Sequence, residues 1–473
     1  MTSTLRLHDL AAPRVVSPLE PGMRPAALAH LAFAREVRAA GGGEPLVIAL
    51  ERGGGAISRH EVACLPASHP LAALNLEVAE RLVKLLLWAR GGWRVVVGGP
   101  AAVGEHLRRV FSPAGARAFD AAFMADVYAR PFVVETVPPE AVPAASETTL
   151  KLGGHLDGCR IGFDLGASDR KAAAVIDGKV VYTEEVVWDP RNASDPRYHF
   201  DELMQALRAA AAHMPRVDAI GGSAAGIYID NRPRVASLFR GIPKDQFEAE
   251  TTKLFRDLQR AWNGVPFEVV NDGEVSALAG AMSLHDAPVL GLAFGSSEAA
   301  GYVTPGGEIT TWLNELAFAP IDYSPAAPVD EWTGDRGVGA LYLSQQAVFR
   351  LARRAEIPCD EKGTPAARLQ GVQRLLEGGD ARAREVWEAI GISLGYALAH
   401  YASIYEVRYV PVLGRVTSGR GGEIIVAWAT EVLAAEFPDL AARIRVSVPD
   451  EKSRRVGQAV AAASLPRLDR RFE

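Results

Sequence analysis

The stretch that most constrains this chain is Arg160-Ile-Gly-Phe-Asp164-Leu-Gly166-Ala-Ser168-Asp-Arg-Lys171, running on through Asp177-Gly178 to Tyr182. It reads as an apolar strand, a tight turn, a second apolar strand, an Asp-Gly turn and a third strand. Asp-Gly between two apolar runs is a strong short-range hairpin signal. The first turn carries unusual chemistry for a reversal: Asp164 ends a buried strand, Gly166 lets the backbone approach closely, and Ser168 and Lys171 follow. A carboxylate able to hold Mg²⁺ through water, small residues whose N–H groups face phosphate, and a cation suit an ATP phosphate site. The plainer reading is an ordinary hairpin with a solvated polar tip.

A chain of 473 residues has room for two or three domains. Apolar residues at 48% and charged ones at 23% supply ample core for a globular protein. A formal net charge of −6 and the absence of a dense Lys/Arg block argue against nucleic acid as a partner. Cys64, Cys159 and Cys359 are far apart and form no C-x-x-C, which indicates neither a disulfide framework nor a zinc site. No apolar run approaches ~18–20 residues and the first residues lack a continuous apolar core. No membrane partner and a cytoplasmic location are therefore expected.

Three blocks are expected. Residues 1–150 read as an N-terminal α/β domain, closed by the linker Pro138–Ala145. Residues 151–284 give a βββαβαβ order, and residues 285–473 a second lobe of α/β pattern. Within them, the spacing predicts a helix over 75–90, a helix over 244–262, a strand over 267–270 and a strand over 409–413. A partial internal repeat links 45–137 to the second lobe: strand, glycine-rich turn, strand, helix, strand, glycine-rich turn, helix. On that reading the first block is a shortened copy of the second lobe. The chain would then be a monomer holding an internal pseudo-dimer; otherwise a homodimer is expected.

Asp272 is the sharpest single candidate for chemistry. It follows a β-branched strand, opens a helix and sits beside Asn271, so it can take a proton from a hydroxyl that the neighbouring amide orients. Its structural alternative is an N-cap Asp worth about 1 kcal/mol. Gly295-Ser296-Ser297 offers backbone N–H groups and hydroxyls to a second stretch of phosphate. The loop from Gly414 to Gly422 offers a flat surface for a base and ribose.

Taken in order, Asp164-Leu-Gly-Ala-Ser, Asn271-Asp272-Gly, Gly295-Ser-Ser and Gly414-Arg-Val-Thr417-Ser418-Gly419 resemble the sugar-kinase/Hsp70/actin superfamily. Its ROK branch (repressors, open reading frames, kinases) is the most similar, over about residues 155–465. The resemblance implies a two-lobed actin-like ATPase (ribonuclease H-like) fold with a nucleotide cleft, in addition to the N-terminal α/β domain. It also implies ATP and Mg²⁺ as cofactors and a sugar or polyol as substrate. Asp164 and Lys171 would belong to the first phosphate site, with Asp164 holding Mg²⁺ through water, and Asp272 would be the general base. Gly295–Ser297 would be the second phosphate loop and Gly414–Gly419 the adenosine loop. The family's Gly-Glu-Ile-Gly-His segment corresponds to Asn314-Glu315-Leu-Ala317-Phe318, which keeps Glu315 as a sugar contact and puts Phe318 at the zinc-binding His. The family's cysteine-rich segment corresponds to Glu331–Val338 with its cysteines replaced, so no structural zinc is expected. Ala340 stands where the family has a sugar-binding Glu.

The resulting expectation is an ATP-dependent carbohydrate kinase. The alternative is a non-catalytic nucleotide- or sugar-binding regulator of the same fold. A serine hydrolase built on Gly221-Gly-Ser223 lacks the second glycine of G-x-S-x-G and an evident His partner.

Overall fold

The computed structural model describes residues 5–147, 149–150, 152–358, 363–449 and 451–468; Cys359 lies outside them. The elements used below are, in chain order, α1 (Ala26–Ala39), β1 (Glu44–Glu51), β2 (Ile57–Cys64), α2 (Leu74–Arg90), β3 (Arg94–Gly98) and β4 (Val133–Val137). Then come β5 (Cys159–Leu165), β6 (Asp169–Ile176), β7 (Lys179–Val187), β8 (Ala219–Ala224), β9 (Phe267–Asn271) and α3 (Asp272–Leu284). The last are β10 (Val289–Phe294), β11 (Glu298–Val303), α4 (Ala381–Tyr401), β12 (Tyr409–Leu413), α5 (Arg420–Glu436) and α6 (Glu451–Ala463). Among the described residues no helix is long and apolar enough to cross a membrane.

Two compact units result, not three blocks. One comprises residues 1–148, 293–299 and 311–448; the other comprises 149–292, 300–310 and 449–473. The N-terminal block and most of the second lobe thus share one unit, and the closing helix α6 belongs with residues 149–292.

In the unit built on 149–292, five strands run in the order β9-β8-β5-β6-β7. β5 pairs antiparallel with β6 and β6 with β7, whereas β5–β8 and β8–β9 are parallel. β5 is buried at six of its seven positions, because helices cover both faces of the sheet; a strand so covered reads as a continuous apolar run. β7, at the edge, alternates exposed and half-buried residues. Phe163, Phe255 and Phe267 stack in the core with centroids 6.0–6.3 Å apart. The helix expected over 244–262 is instead two helices, Lys244–Ala249 and Leu254–Ala261. Between them Thr251 is buried and the Thr252 hydroxyl donates to the Glu248 carbonyl, a local bond that competes with helix propagation.

The other unit holds a sheet of order β2-β1-β3-β4. β1 runs antiparallel to both β2 and β3, while β3 is parallel to β4. The parallel β3–β4 pair resembles that of β12 with Arg445–Ser447. The apolar pattern that suggests a copied lobe is silent about strand direction.

Helix α2 fixes the N-terminal block to the segment 313–337 of the same unit. Its last carbonyls, Trp88, Ala89 and Arg90, accept from the backbone N–H groups of Glu315, Asn314 and Leu313 at 2.9–3.3 Å. These carbonyls have no partner within a helix, so the contact satisfies both sides. One turn earlier, Lys84 reaches Asp120 at 2.9 Å and Asp335 at 3.0 Å, and Arg117 reaches Asp335 at 2.8 Å. Phe318 packs on Trp88 and on Trp332, with centroids 4.7 and 4.9 Å apart. An aromatic cluster therefore occupies the segment in which the ROK resemblance has zinc ligands. Burial works against the Asp335 charge, but Lys84, Arg117 and Arg81 outweigh it and hold the carboxyl well below the usual range.

Asp335→Ala leaves Lys84 and Arg117 buried without their shared anion, an arrangement that typically costs about 3–5 kcal/mol. Urea melts at neutral pH are expected to show a loss of that order. A carboxyl depressed in the folded state stabilises above its unfolded value of ~3.9 and loses that contribution below it. The gap between wild type and variant is therefore expected to narrow as the pH falls from about 5 to about 3. A neutral-pH difference under about 1 kcal/mol would contradict this account.

Candidate active site

Three parallel neighbours, β5, β8 and β9, bring their C-terminal ends to one edge of the sheet. The register pairs Asp164 with Ser223 and Val270 with Ser223, so Asp164, Ser223 and Asn271-Asp272 emerge together. Such an edge, beyond the carboxyl ends of parallel strands, is where open α/β sheets bind ligands. The Ser223 hydroxyl donates to Asp164 Oδ1 at 2.6 Å. Lys171, opposite Asp164 across the β5–β6 turn, lies 3.8 Å from Asp164 Oδ2 and 3.0 Å from Asp169 Oδ1. The Ser223 hydroxyl is thus bonded to a carboxylate, and among the described residues no imidazole bonds to it, an arrangement that gives the hydrolase reading no support.

The turn between β5 and β6 is closed by the Gly166 N–H, which donates to the Asp169 carbonyl at 3.0 Å. The Trp188 indole donates to the Gly166 carbonyl, and the Ser168 hydroxyl to Asp169. Among the described residues the amides of Ala167 and Ser168 have no hydrogen-bond partner. Two successive free N–H groups beside a lysine form a concavity suited to an anion.

Asn271, not Asp272, is the N-cap of α3. Its Oδ1 accepts from the Gly273 N–H at 2.7 Å and its Nδ2 donates to the Gly226 carbonyl at 2.7 Å. The amide that sequence reasoning offered to a substrate hydroxyl is spent on holding the turn, and the capping role weighed for Asp272 falls to its neighbour. Gly273 is required by close approach, since a Cβ there would lie 2.2 Å from the Ala300 carbonyl oxygen. Among the described residues no cation pairs with Asp272. Burial, then the charge of Asp164, push its carboxyl up to about 6. Burial also raises Asp164, against the pull of Ser223 and Lys171.

The remaining sequence candidates lie in the other unit. The Gly295 N–H donates to the Ser297 carbonyl at 3.0 Å, and the Gln345 N–H to the Gly295 carbonyl at 2.9 Å. Among the described residues the amides of Ser296 and Ser297 have no partner, the same device as at Ala167 and Ser168. Gly414 has φ +99°, and a Cβ there would lie 2.4 Å from the Phe294 carbonyl oxygen. The ends of β10 and β12 are therefore pressed together, which sets the loop from Gly414 beside the Gly295–Ser297 turn. In that loop the Thr417 hydroxyl donates to the Gly414 carbonyl at 2.9 Å, and the Trp387 indole to the Val416 carbonyl at 2.9 Å. Ser418 and Gly419 precede α5, which starts at Arg420 and takes in Gly421 and Gly422.

Glu315 caps the short helix Leu316–Phe318; its place is set by the Trp88 carbonyl. Near it, in the same unit, stands Glu298, which the sequence analysis did not single out. Glu298 is 3% exposed, its Oε1 accepts from the Tyr401 hydroxyl at 3.3 Å, and its Oε2 has no partner. Burial first, with Glu315 adding to it, pushes the carboxyl up to about 8. Its only sequence signal is a charged residue opening a buried strand directly after the Gly-Ser-Ser turn. Ala340 is buried beside Gly339, whose own Cβ would meet Glu298 Oε2 at 2.2 Å.

Among the described residues no group of three or more His, Cys, Asp or Glu is placed to hold a metal ion. The strand order of the sheet and its strand-end carboxylates define an actin-like α/β ATPase fold, and comparison with solved structures agrees. The chain is similar to a ROK family transcriptional regulator, a homologue of the E. coli MLC protein. That match has 17% identity over 68% of this chain and 81% of the regulator, with a TM-score of 0.51. It is also similar to a ROK hexokinase from Thermus thermophilus, at 20% identity over 64% of this chain and 97% of that one, TM-score 0.49. A ROK family glucokinase from Streptomyces griseus, solved with glucose and AMPPNP, is 20% identical over 64% of this chain and 99% of that one, TM-score 0.47. No family model and no curated protein matches the chain. The chain has the fold of the ROK proteins.

An Asp whose folded value lies above its unfolded ~3.9 costs stability once ionised. With Asp272 near 6, Asp272→Asn is expected to stabilise the protein by about 1–2 kcal/mol at pH near 8 and not at pH near 4, allowing for its partial exposure. Urea melts at the two pH values check the sign; destabilisation at the higher pH would contradict the raised value.

Proposed function

We propose that the protein transfers a phosphoryl group from ATP to a hydroxyl of a sugar or related polyol, with Asp272 as general base. What supports this reading is the placement of Asp272 at the C-terminal edge of three parallel strands, with no cation on it among the described residues and its carboxyl raised to about 6 by burial and Asp164. A base of that strength is ionised at neutral pH, yet basic enough to draw a proton off a hydroxyl as the oxygen attacks phosphorus. Lys171 and the amides of Ala167 and Ser168 would bind phosphate oxygens, as would the amides of Ser296 and Ser297. The loop Gly414–Gly419 would carry the adenosine, and Glu315 would bind a sugar hydroxyl. Asn271 would act through Asp272, by fixing the turn that aims it.

The fold family implies Mg²⁺. Asp164 fits that role: Lys171 approaches its Oδ2 only to 3.8 Å, and Mg²⁺ in such sites is held by one or two carboxylates, waters and the phosphates themselves. Held by Asp164, Mg²⁺ would supply charge neutralisation to the nucleotide phosphates.

A second reading, a sugar- or nucleotide-binding regulator without turnover, is favoured by Ala340, where the ROK resemblance has a sugar-binding Glu. An ADP-release assay over hexoses, amino sugars and polyols separates the two. The kinase reading expects turnover with at least one acceptor. No turnover, together with a raised melting temperature in ATP or a sugar, selects the regulator.

For an active acceptor, Asp272→Asn is expected to lower kcat by about 10³-fold while changing ATP affinity less than about twofold. The wild-type kcat/KM is expected to fall about tenfold per pH unit below the Asp272 value, as one proton blocks the base. A variant retaining more than about a tenth of wild-type kcat would remove Asp272 from the chemistry.

A further inference from the structure

A cavity of about 880 Å³ lies within the unit that contains the N-terminal block. Helices α1 and α2, strand β2, the C-terminal end of α4 and the segment 436–443 wall it in. It uses none of the residues assigned above to phosphoryl transfer. Its size falls in the range of small-molecule sites, and most of its wall is aliphatic or aromatic, including Phe33, Val62, Leu82 and Leu85.

Three imidazoles line the cavity: His30, His60 and His400. His400 is 2% exposed and stacks on His30 with centroids 5.3 Å apart. A backbone hydrogen bond ties the His400 ring to Pro320, and its Nε2 has no partner. A ring nitrogen bonded to a carbonyl carries the proton, so Nε2 is left as a buried lone pair needing a donor. Leaving such an atom unpaired is costly, because its desolvation is not repaid. His60 also lines a smaller cavity of about 260 Å³ along the same face of β2, which gives an extended ligand room to run on.

The exposed lining residues carry an excess of positive charge. Arg35, Arg38 and Arg443 line the cavity, and among the described residues no carboxylate pairs with any of them. Of the two acids in the lining, Glu436 is already engaged by Arg14 and by the Tyr396 hydroxyl, which leaves Asp439. A sugar, polar on every face, does not suit aliphatic walls; a nucleotide phosphate would find no paired backbone amides.

We propose that this cavity is a second small-molecule site, specific for an amphipathic hydroxycarboxylate. The apolar body lies between α1, α2 and β2, the hydroxyl donates to His400 Nε2, and the carboxylate meets the arginines.

The test uses the full-length protein and three matched probes below their micellar range: 12-hydroxydodecanoate, dodecanoate and dodecyltrimethylammonium, by titration calorimetry. 12-Hydroxydodecanoate is expected to bind about three- to tenfold tighter than dodecanoate, and the cation at least about tenfold more weakly than either acid. His400→Leu is expected to erase the difference between the two acids. Ala34→Trp, which fills the cavity from α1, is expected to abolish binding of both while the thermal melt shows a folded protein. Should that variant not fold, the exposed pair Arg35→Glu with Arg38→Glu is expected to weaken both acids and spare the cation. Equal binding of cation and acids, unaltered binding by a folded Ala34→Trp variant, or no acid binding at about 1 mM would overturn the proposal.

Discussion

Two carboxylates at the ends of β5 and β9, strands separated by β8 alone, with a lysine on the first and not on the second among the described residues, are the constraint on which this site depends. Lys171 stands against Asp164 and Asp169, and Ser223 gives Asp164 a short hydrogen bond. Asp272 receives nothing comparable. It feels burial and the charge of Asp164, and the backbone amides of Gly273 and of Asp272 itself pull the other way. The pair is thereby made unequal by its surroundings. Unequal carboxyls in one site are how a fold separates an electrostatic role from a proton-accepting one. Parallel pairing of β5, β8 and β9 is what brings the groups together, so the chemistry follows from strand direction.

The N-terminal block braces a segment of its own unit. Helix α2 ends with three carbonyls in need of donors, and the segment carrying Glu315 supplies them. Lys84 and Arg117 clamp Asp335 farther along the same segment, and Trp88 supports Phe318. A segment that the ROK resemblance ties down with a metal is here tied down by helix-end hydrogen bonds, a buried ion network and stacked rings. Such a network is unforgiving, because removing one partner strands the others in a medium of low polarity.

Much of the fold was legible from period and turn chemistry. The Asp-Gly hairpin after β6, the strand ending at Leu413 and the long helix α2 follow from local pattern, and local pattern is what one chain displays. Strand direction is not local. The repeat read in residues 45–137 is a match of element order alone, and the antiparallel pairing of β1 and β3 is a fact no apolar spacing encodes. Asn271 and Asp272 are similarly instructive. Either residue can cap a helix, and only the backbone shows that the amide does so and leaves the carboxylate. The helix over 244–262 broke where Thr251 turned inward. Glu298 was missed because a glutamate in a strand gives no hint of its burial, which is set by Gly339 and Tyr401 arriving from distant parts of the sequence. The ion network around Asp335 was illegible for the same reason.

The central claim is that Asp272 is a carboxyl of raised proton affinity because it is half-buried and feels the charge of Asp164. Its titration can be followed directly, by carbon-detected NMR of protein labelled at the Asp carboxyl carbon, with Asp272→Asn providing the assignment. The account predicts a midpoint near 6 in the wild type and a lower midpoint in Asp164→Asn, where the neighbouring charge is gone. A midpoint at the ordinary Asp value of ~3.9, or one unmoved by Asp164→Asn, would contradict it.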